Sequence, residues 1–484
     1  MFVMSTQAPP AEPLRLGSSR GRLVLATTVL GSGIALLDGT VVNVALPTIG
    51  RDLDADLAGL QWVVNGYALT LASLILLGGS LGDRFGRRRV YAIGVAGFGV
   101  ASVLCALAPS IGVLVAARAL QGVAAALLVP GSLAILQAAF HPDDRMGAIG
   151  AWTGLLGVAT ASGPVVGGWL VERDWTWAFW LNVPLSVLVV ALAVGIVPES
   201  RNPSATKGFD IPGVVLAVVG LAALTYGLTA ASGGFGAMPL AATALGLVAL
   251  AGFVVVERRT AHAMVPARLF ASRVFTVINL VTLLVYAALS AALLFLVLYL
   301  QTVGGWSALQ AGSATLPLSL VMLVLAKRFG TMAARTGPRP YMVGGTLVGC
   351  AGLALLALAP RDPSFPVHVL PGVTLLGLGL SLTVAPLTGT VLAAAPDELA
   401  GTASGVNNAV ARTAGLLAVA ALPPLVGLHG SQYASPDALT PAYRWAMVVC
   451  VGLFAAAAAL TAVGLAARKP APCADEPHLD LTAR

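Results

Sequence analysis

Charged residues are scarce in this chain: only 10% of its 484 residues are Asp, Glu, Lys or Arg, 58% are hydrophobic, and the mean hydropathy is +0.90. A water-soluble globule needs a far more charged surface, so that class is excluded. Lysine is rarer still, with Lys207, Lys327 and Lys469 as the full set, and none stands in a GxxxxGK[ST] phosphate loop. Direct use of ATP is thereby excluded. Four cysteines (Cys105, Cys350, Cys450, Cys473) and five histidines are scattered without CxxC or HxxxH spacing, which argues against a disulfide framework, a metal site and redox chemistry. The first 20 residues, MFVMSTQAPPAEPLRLGSSR, are polar, with no apolar core or small-residue cleavage site, so a cleavable signal peptide is not expected.

Long apolar runs, by contrast, fill the sequence. A bilayer core about 30 Å thick takes roughly 20 apolar residues per helix. Fourteen runs meet that need, near 23–46, 60–81, 90–108, 111–139, 147–170, 176–197, 211–230, 238–256, 274–300, 308–326, 341–359, 366–394, 401–428 and 445–466. If the N-terminus is placed in the cytoplasm, most of the 27 Lys and Arg fall in inner segments. The outer ones hold Arg51, Arg173, Arg361 and Arg444, while Arg118 and Arg412 lie within spans. The positive-inside bias therefore predicts both termini in the cytoplasm. It also explains the net charge of +7 by topology, without nucleic acid.

The chain repeats itself. GSLGDRFGRRR (Gly79 to Arg89), between spans 2 and 3, is echoed by GTMAARTGPRP (Gly330 to Pro340), between spans 10 and 11. LQGVAAALLVPGSLAILQAAF (Leu120 to Phe140) is echoed by LGLGLSLTVAPLTGTVLAAAP (Leu376 to Pro396). Two six-helix halves flanking an inserted pair, spans 7 and 8, follow. The expected divisions are a tail at 1–22, an N-terminal bundle at 23–197, the inserted pair with its linkers at 198–273, a C-terminal bundle at 274–466 and a tail at 467–484.

GSLGDRFGRRR resembles the loop signature of the major facilitator superfamily, and GPVVGG (Gly163 to Gly168) resembles the motif associated with its antiporters. LDGTVVNVALP in span 1, WTWAFWLNVP (Trp175 to Pro184) and YLQTVGGWSALQAGSATLP (Tyr299 to Pro317) are similar to segments of its fourteen-span drug:proton antiporter branch. The resemblance runs from about Leu23 to Ala466. It implies an all-α integral membrane protein of the major facilitator fold, with 14 transmembrane helices arranged 6+2+6 and cytoplasmic termini.

Each motif also has a physical reading. In the loop motif that begins at Gly79, Gly86 permits a tight turn, Asp83 can hold a helix N-terminus or an arginine, and Arg84, Arg87, Arg88 and Arg89 are expected at lipid phosphates. Ala334 stands in the echo where the first loop has Asp83, so a loop switch would rest mostly on the first half. In span 5, Gly150, Gly154, Gly157, Gly163, Gly167 and Gly168 would let helices approach closely, and Pro164 would bend the helix. The resemblance implies that Gly163, Pro164, Gly167 and Gly168 sit where the halves meet and limit proton leakage.

Asp38 is the only charge between Arg22 and Arg51. Counting from the outer ends of spans 1 and 4 at about 1.5 Å per residue puts Asp38 and Arg118 at one depth, roughly 10 to 12 Å below the surface. A charge buried in lipid is costly, so the two are expected to face each other across an internal wet cavity between the halves. A static structural pair is the plain alternative. Moving Arg118 or admitting water would change the protonation state the site favours, and the resemblance assigns such a pair to proton coupling.

Arg412, in GVNNAVARTAG of span 13, is near mid-membrane with no acidic residue expected inside spans 8 to 14. Bonding to helix carbonyls, Asn407 or Asn408 is its first expected role, and an anionic substrate the second. Asn43, Tyr67, Tyr286, Gln301, Asn407 and Arg412 are the candidates for a substrate cavity. The expectation is a proton-coupled multidrug or antibiotic efflux transporter of a cell inner or plasma membrane, monomeric, among lipids, with a small hydrophobic substrate, no cofactor and the proton gradient as energy source. An exporter of one endogenous metabolite or lipid, or an importer of the same fold, is the alternative. An enzyme is not expected.

Overall fold

The computed structural model describes residues 13–201, 210–231, 236–260, 264–396 and 399–465. The tails that carry Cys473, Arg468, Lys469 and Arg484, and the linker residue Lys207, lie outside these.

Fourteen helices are long and apolar enough to cross a membrane. In the first half they are α1 (Ser19–Asp52), α2 (Leu57–Phe85), α3 (Arg87–Ala106), α4 (Ile111–Ala139), α5 (Pro142–Val171) and α6 (Trp177–Ile196). The inserted pair is α7 (Ile211–Ala230) and α8 (Ala237–Arg259). The second half holds α9 (Arg273–Thr302), α10 (Ala308–Thr336), α11 (Arg339–Ala357), α12 (Phe365–Ala393), α13 (Gly401–Leu425) and α14 (Pro436–Gly464). Each expected run is a helix, because in hydrocarbon only the helix satisfies every backbone group within one segment. The ends run past the apolar stretch to capping residues. Ser18 accepts from the Gly21 amide at 3.0 Å, Asp56 from Gly59 at 2.8 Å and Asp210 from Gly213 at 2.9 Å. This overrun brings Glu257 and Asp437 into the end turns of α8 and α14, outside the apolar runs 238–256 and 445–466.

The internal repeat is visible in the backbone. Gly86 closes α2 at φ +113 and Gly337 closes α10 at φ +98, a left-handed turn that disfavours any side chain. In the first half α4 packs on α2 and α3, and α5 on α1; in the second, α12 packs on α10 and α11, and α14 on α9 and α11. The halves meet along α2–α13 and α5–α10. The inserted pair covers the first of these seams: α7 lies against both α2 and α13, with Leu69, Leu221 and Leu416 clustered there, and α8 packs on α7. Exposed Met238, Leu245 and Val248 mark α8 as lipid-facing.

An even number of crossings brings both ends of the described chain to one side, the proximal end. At the opposite, distal end the halves are bonded together. Tyr433 donates to the Ala55 carbonyl at 2.8 Å, Gln301 to that of Val44 at 3.1 Å, and the Leu309 amide to Glu172 at 3.3 Å. Toward the proximal end α5 and α10 separate. A Cβ on Gly168 would meet the Leu309 Cα at 2.5 Å, one on Gly157 would find Leu323 only at 3.5 Å, and one on Gly154 or Gly150 would meet nothing within 4 Å. The molecule is closed distally and wedged open between α5 and α10 proximally.

Candidate functional site

Asp38 stands in the middle of α1, and α4 carries Arg118 to it: the guanidinium Nη1 donates to Asp38 Oδ2. The other oxygen, Oδ1, accepts from Gln121 Nε2 at 2.9 Å and from Asn182 Nδ2, on α6, at 3.0 Å. Gln121 sits one turn after Arg118 on α4, takes a second bond from Arg118 Nη1 at 2.6 Å and donates to Ser102 of α3 at 2.9 Å. Arg118 Nε donates to the Val63 carbonyl of α2 at 3.0 Å, and its plane lies 4.4 Å from the Tyr67 ring centre. The side chains of Asp38 and Arg118 are 0% and 1% exposed.

The network joins five helices of the first half. Two buried charges cost more in desolvation than an isolated pair returns, unless further hydrogen bonds satisfy both groups, as these do. The expected pair is therefore present, but the expected wet pocket between the halves is not: the site is sealed inside the first bundle. Both Asp38 oxygens are bonded there by side chains of α4 and α6, all of the first half.

Gln121, Asn182 and Ser102 carry no charge, and sequence reasoning passed over them as site residues. The available signals were the i, i+3 spacing of Gln121 from Arg118, and the place of Asn182 within WTWAFWLNVP.

The family model of the Major Facilitator Superfamily matches residues 28–419. The chain belongs to that superfamily. It is 37% identical over 458 residues to the puromycin resistance protein pur8 of Streptomyces alboniger, covering 92% of this chain and 90% of the relative. It is 36% identical over 416 residues to the tetracenomycin C resistance and export protein of Streptomyces glaucescens, covering 85% and 77%. The fold is that of the peptide transporter POT in complex with sulfate (TM-score 0.67, 17% identity, 93% and 96% covered). It is equally that of a bacterial homolog to the human lysosomal transporter Spinster in an inward-facing, unoccupied conformation (TM-score 0.64, 17% identity, 93% and 98% covered). The protein is a major facilitator transporter of the fourteen-span branch and not an enzyme.

In this transporter Arg87 and Arg88 of the loop engage protein, while Arg84 and Arg89 are exposed. Arg87 pairs with Asp83 one turn back at 2.7 Å and reaches the Ala134 carbonyl of α4 at 3.3 Å. Arg88 donates to the Val197 carbonyl at 3.3 Å, and Arg339 in the echo likewise reaches the Ala462 carbonyl at 2.7 Å. Arg84 lies over Phe85 at 5.5 Å, and Gly79 packs near Pro130. A Cβ on Gly86 would strike the Glu199 carboxylate at 2.7 Å.

The GPVVGG glycines divide their work. Gly163 and Gly167 admit Thr40 and Val41 of α1, and Gly168 admits Leu309 of α10. Pro164 presents its carbonyl to Gly312 of the second half. Gly150, Gly154 and Gly157 do not mediate close packing, which corrects the reading of all six as contact residues.

Of the cavity candidates, three are engaged in bonds between helices. Tyr67 donates to the Ala35 carbonyl at 3.2 Å, Gln301 closes the distal end as above, and Asn407 donates to Asn279 at 3.1 Å and Thr282 at 2.8 Å. Asn43 and Tyr286 are half-buried. Arg412 is half-buried too, with no hydrogen bond or ion pair among the described residues, so its expected anchoring to Asn407, Asn408 or a carbonyl is not found. It lies within electrostatic reach of Tyr67 and Tyr286. Among the described residues no three His, Cys, Asp or Glu side chains converge.

Proposed function

We propose that this transporter expels hydrophobic, antibiotic- or drug-like molecules in exchange for protons taken up at Asp38. One observation carries the reading: a single carboxylate in mid-helix, 0% exposed, held by one guanidinium and two amides that could each let go of it. A proton arriving at Asp38 removes the charge that holds Arg118. Arg118 also bonds the Val63 carbonyl of α2, so its release loosens α1, α2 and α4 together. The names of the relatives, a puromycin resistance protein and a tetracenomycin C resistance and export protein, support outward movement of such compounds.

The arginines of the proximal loops, Arg87, Arg88 and Arg339 among them, support the reading that the proximal end and both termini are cytoplasmic in an inner or plasma membrane. The wedge between α5 and α10 then opens to the cytoplasm. The bundles fall at 23–197 and 274–466, with the pair at 198–273 between them, in a monomer surrounded by lipid. Arg412, with no counter-charge among the described residues, is the group that receives an anionic or carbonyl-bearing part of the substrate, with Tyr67, Tyr286 and Asn43 as walls. A dedicated exporter of one endogenous compound is the second reading, favoured by the word "export" in a relative's name.

The test is transport by Asp38→Asn in proteoliposomes with and without an imposed pH gradient. Loss of uphill dye export with downhill exchange retained is expected; undiminished uphill export would end proton coupling through this acid. A panel of unrelated dyes separates multidrug from single-compound export.

A further inference from the structure

Gln61 of α2 donates its amide nitrogen across the seam to two carbonyls of α13, Val419 at 2.6 Å and Ala420 at 3.2 Å. These two carbonyls are not interchangeable with others in α13. The residues four positions on, whose amides would normally satisfy them, are Pro423 and Pro424, which have no N–H. In a membrane-spanning segment a bare carbonyl has no water to turn to. The tandem proline thus strips two adjacent acceptors in one half of the transporter, and one side chain of the other half satisfies both. Val419 and Ala420 are 4% and 0% exposed, and Gln61 is 2% exposed, so the bond is dry.

One turn along the same face of α2 is Asn65, and one turn beyond that is Leu69, which packs in one cluster with Leu416 of α13. Asn65 therefore lies between two positions that face α13. It is 0% exposed, and both its Nδ2 and Oδ1 are without partners. Closing this seam satisfies the two stripped carbonyls and strands the Gln61 Oε1 and the Asn65 amide. Opening it wets both.

We propose that Gln61 is the distal latch of the transport cycle, its acceptors created by Pro423 and Pro424, and that Asn65 is the opposing element that keeps the latch releasable. Gln61 is a positioning residue: it sets the balance between the closed state described here and a distally open one, and it takes no part in proton or substrate chemistry. The proposal rests on the alternating-access reading of the family and not on Asp38 as the proton carrier, so failure of either leaves the other standing.

Val44 reports the state of the distal end, since it is 2% exposed and its side chain faces Gly312 of the second half. The experiment measures the rate at which a maleimide labels Val44→Cys in the purified full chain, with the native cysteines replaced. Gln61→Leu should raise the rate by about three- to tenfold, the worth of a hydrogen bond lost on one side of an equilibrium. Asn65→Leu should lower it by a similar factor. Pro423→Ala/Pro424→Ala restores two amides to α13, so the carbonyls become satisfied within the helix. That variant should label faster than the parent, and adding Gln61→Leu to it should change the rate by less than twofold, roughly the error of such a comparison. If Gln61→Leu fails to fold, the alanine pair still decides, because an unchanged or slower rate overturns the latch. So does an unchanged or slower rate for folded Gln61→Leu, or a full Gln61 effect in the alanine background. A faster rate for Asn65→Leu overturns the opposing role of Asn65.

Discussion

Asn182 of α6 and Gln121 of α4 donate to the same oxygen of Asp38, at 3.0 and 2.9 Å, leaving the other oxygen to Arg118. The carboxylate is thus shared between neutral donors on one side and a cation on the other. Asn182→Leu keeps the volume and removes one donor to the charged form. A hydrogen bond to a charged group is worth about 1.5–3 kcal/mol, so uphill dye export in proteoliposomes should fall by roughly tenfold or more. Downhill exchange, which needs no proton cycle, should persist.

Arg118→Leu leaves Asp38 buried without its counter-charge. Breaking one side of such a pair costs about 3–5 kcal/mol, which thermal unfolding of the detergent-solubilised protein would show as a clear fall in Tm. The double variant Asp38→Asn/Arg118→Leu should recover most of that loss, because no charge is left unpaired. A double variant as unstable as the single one would mean that Arg118 acts through packing alone.

Gly168→Val would drive a side chain into the backbone at Leu309 and hold the distal ends of α5 and α10 apart, abolishing export. Gly154→Val lies on the same helix with nothing within 4 Å in the closed state. It should transport at close to the parent rate, unless the proximal wedge closes fully during the cycle, in which case it too should fail. Comparing dye export by the two variants tests how far α5 and α10 come together.

Arg412→Gln removes the cation that has no partner among the described residues. If that charge meets substrate, export of an anionic dye should fall by about tenfold while a neutral dye of similar size changes little, since a charge-assisted contact is worth roughly 1.5 kcal/mol or more. Equal loss for both dyes would make Arg412 structural. Arg412→Lys should keep much of the anionic export.

Hydropathy and charge made the helices legible, because the backbone must satisfy itself in lipid whatever its neighbours are. The depth of Asp38 and Arg118 could be counted for the same reason, at a fixed rise per residue. What surrounds them could not. Gln121 and Asn182 are polar residues in apolar helices like many others here, and only the rotation of α4 and α6 brings them to Asp38 instead of to a neighbouring carbonyl. The same limit applied to the glycines of α5: six share the helix, but the splay between α5 and α10 decides which of them touch anything. Arg412 illustrates the reverse case. Its distance from acids within the apolar runs could be read along the chain, whereas the partners of Asn407, which donates its amide to Asn279 and Thr282 of α9, depend on how α13 is turned against α9.

The inserted pair reaches beyond simple padding. With α7 lying against both α2 and α13, one flank of the molecule is fenced off from the surrounding acyl chains, and the Trp62–Tyr226 ring pair at 6.5 Å helps to hold the fence. The opposite flank, where α5 and α10 part, has no such cover. The molecule is thus lopsided toward the bilayer, with a wall on one face and a cleft on the other.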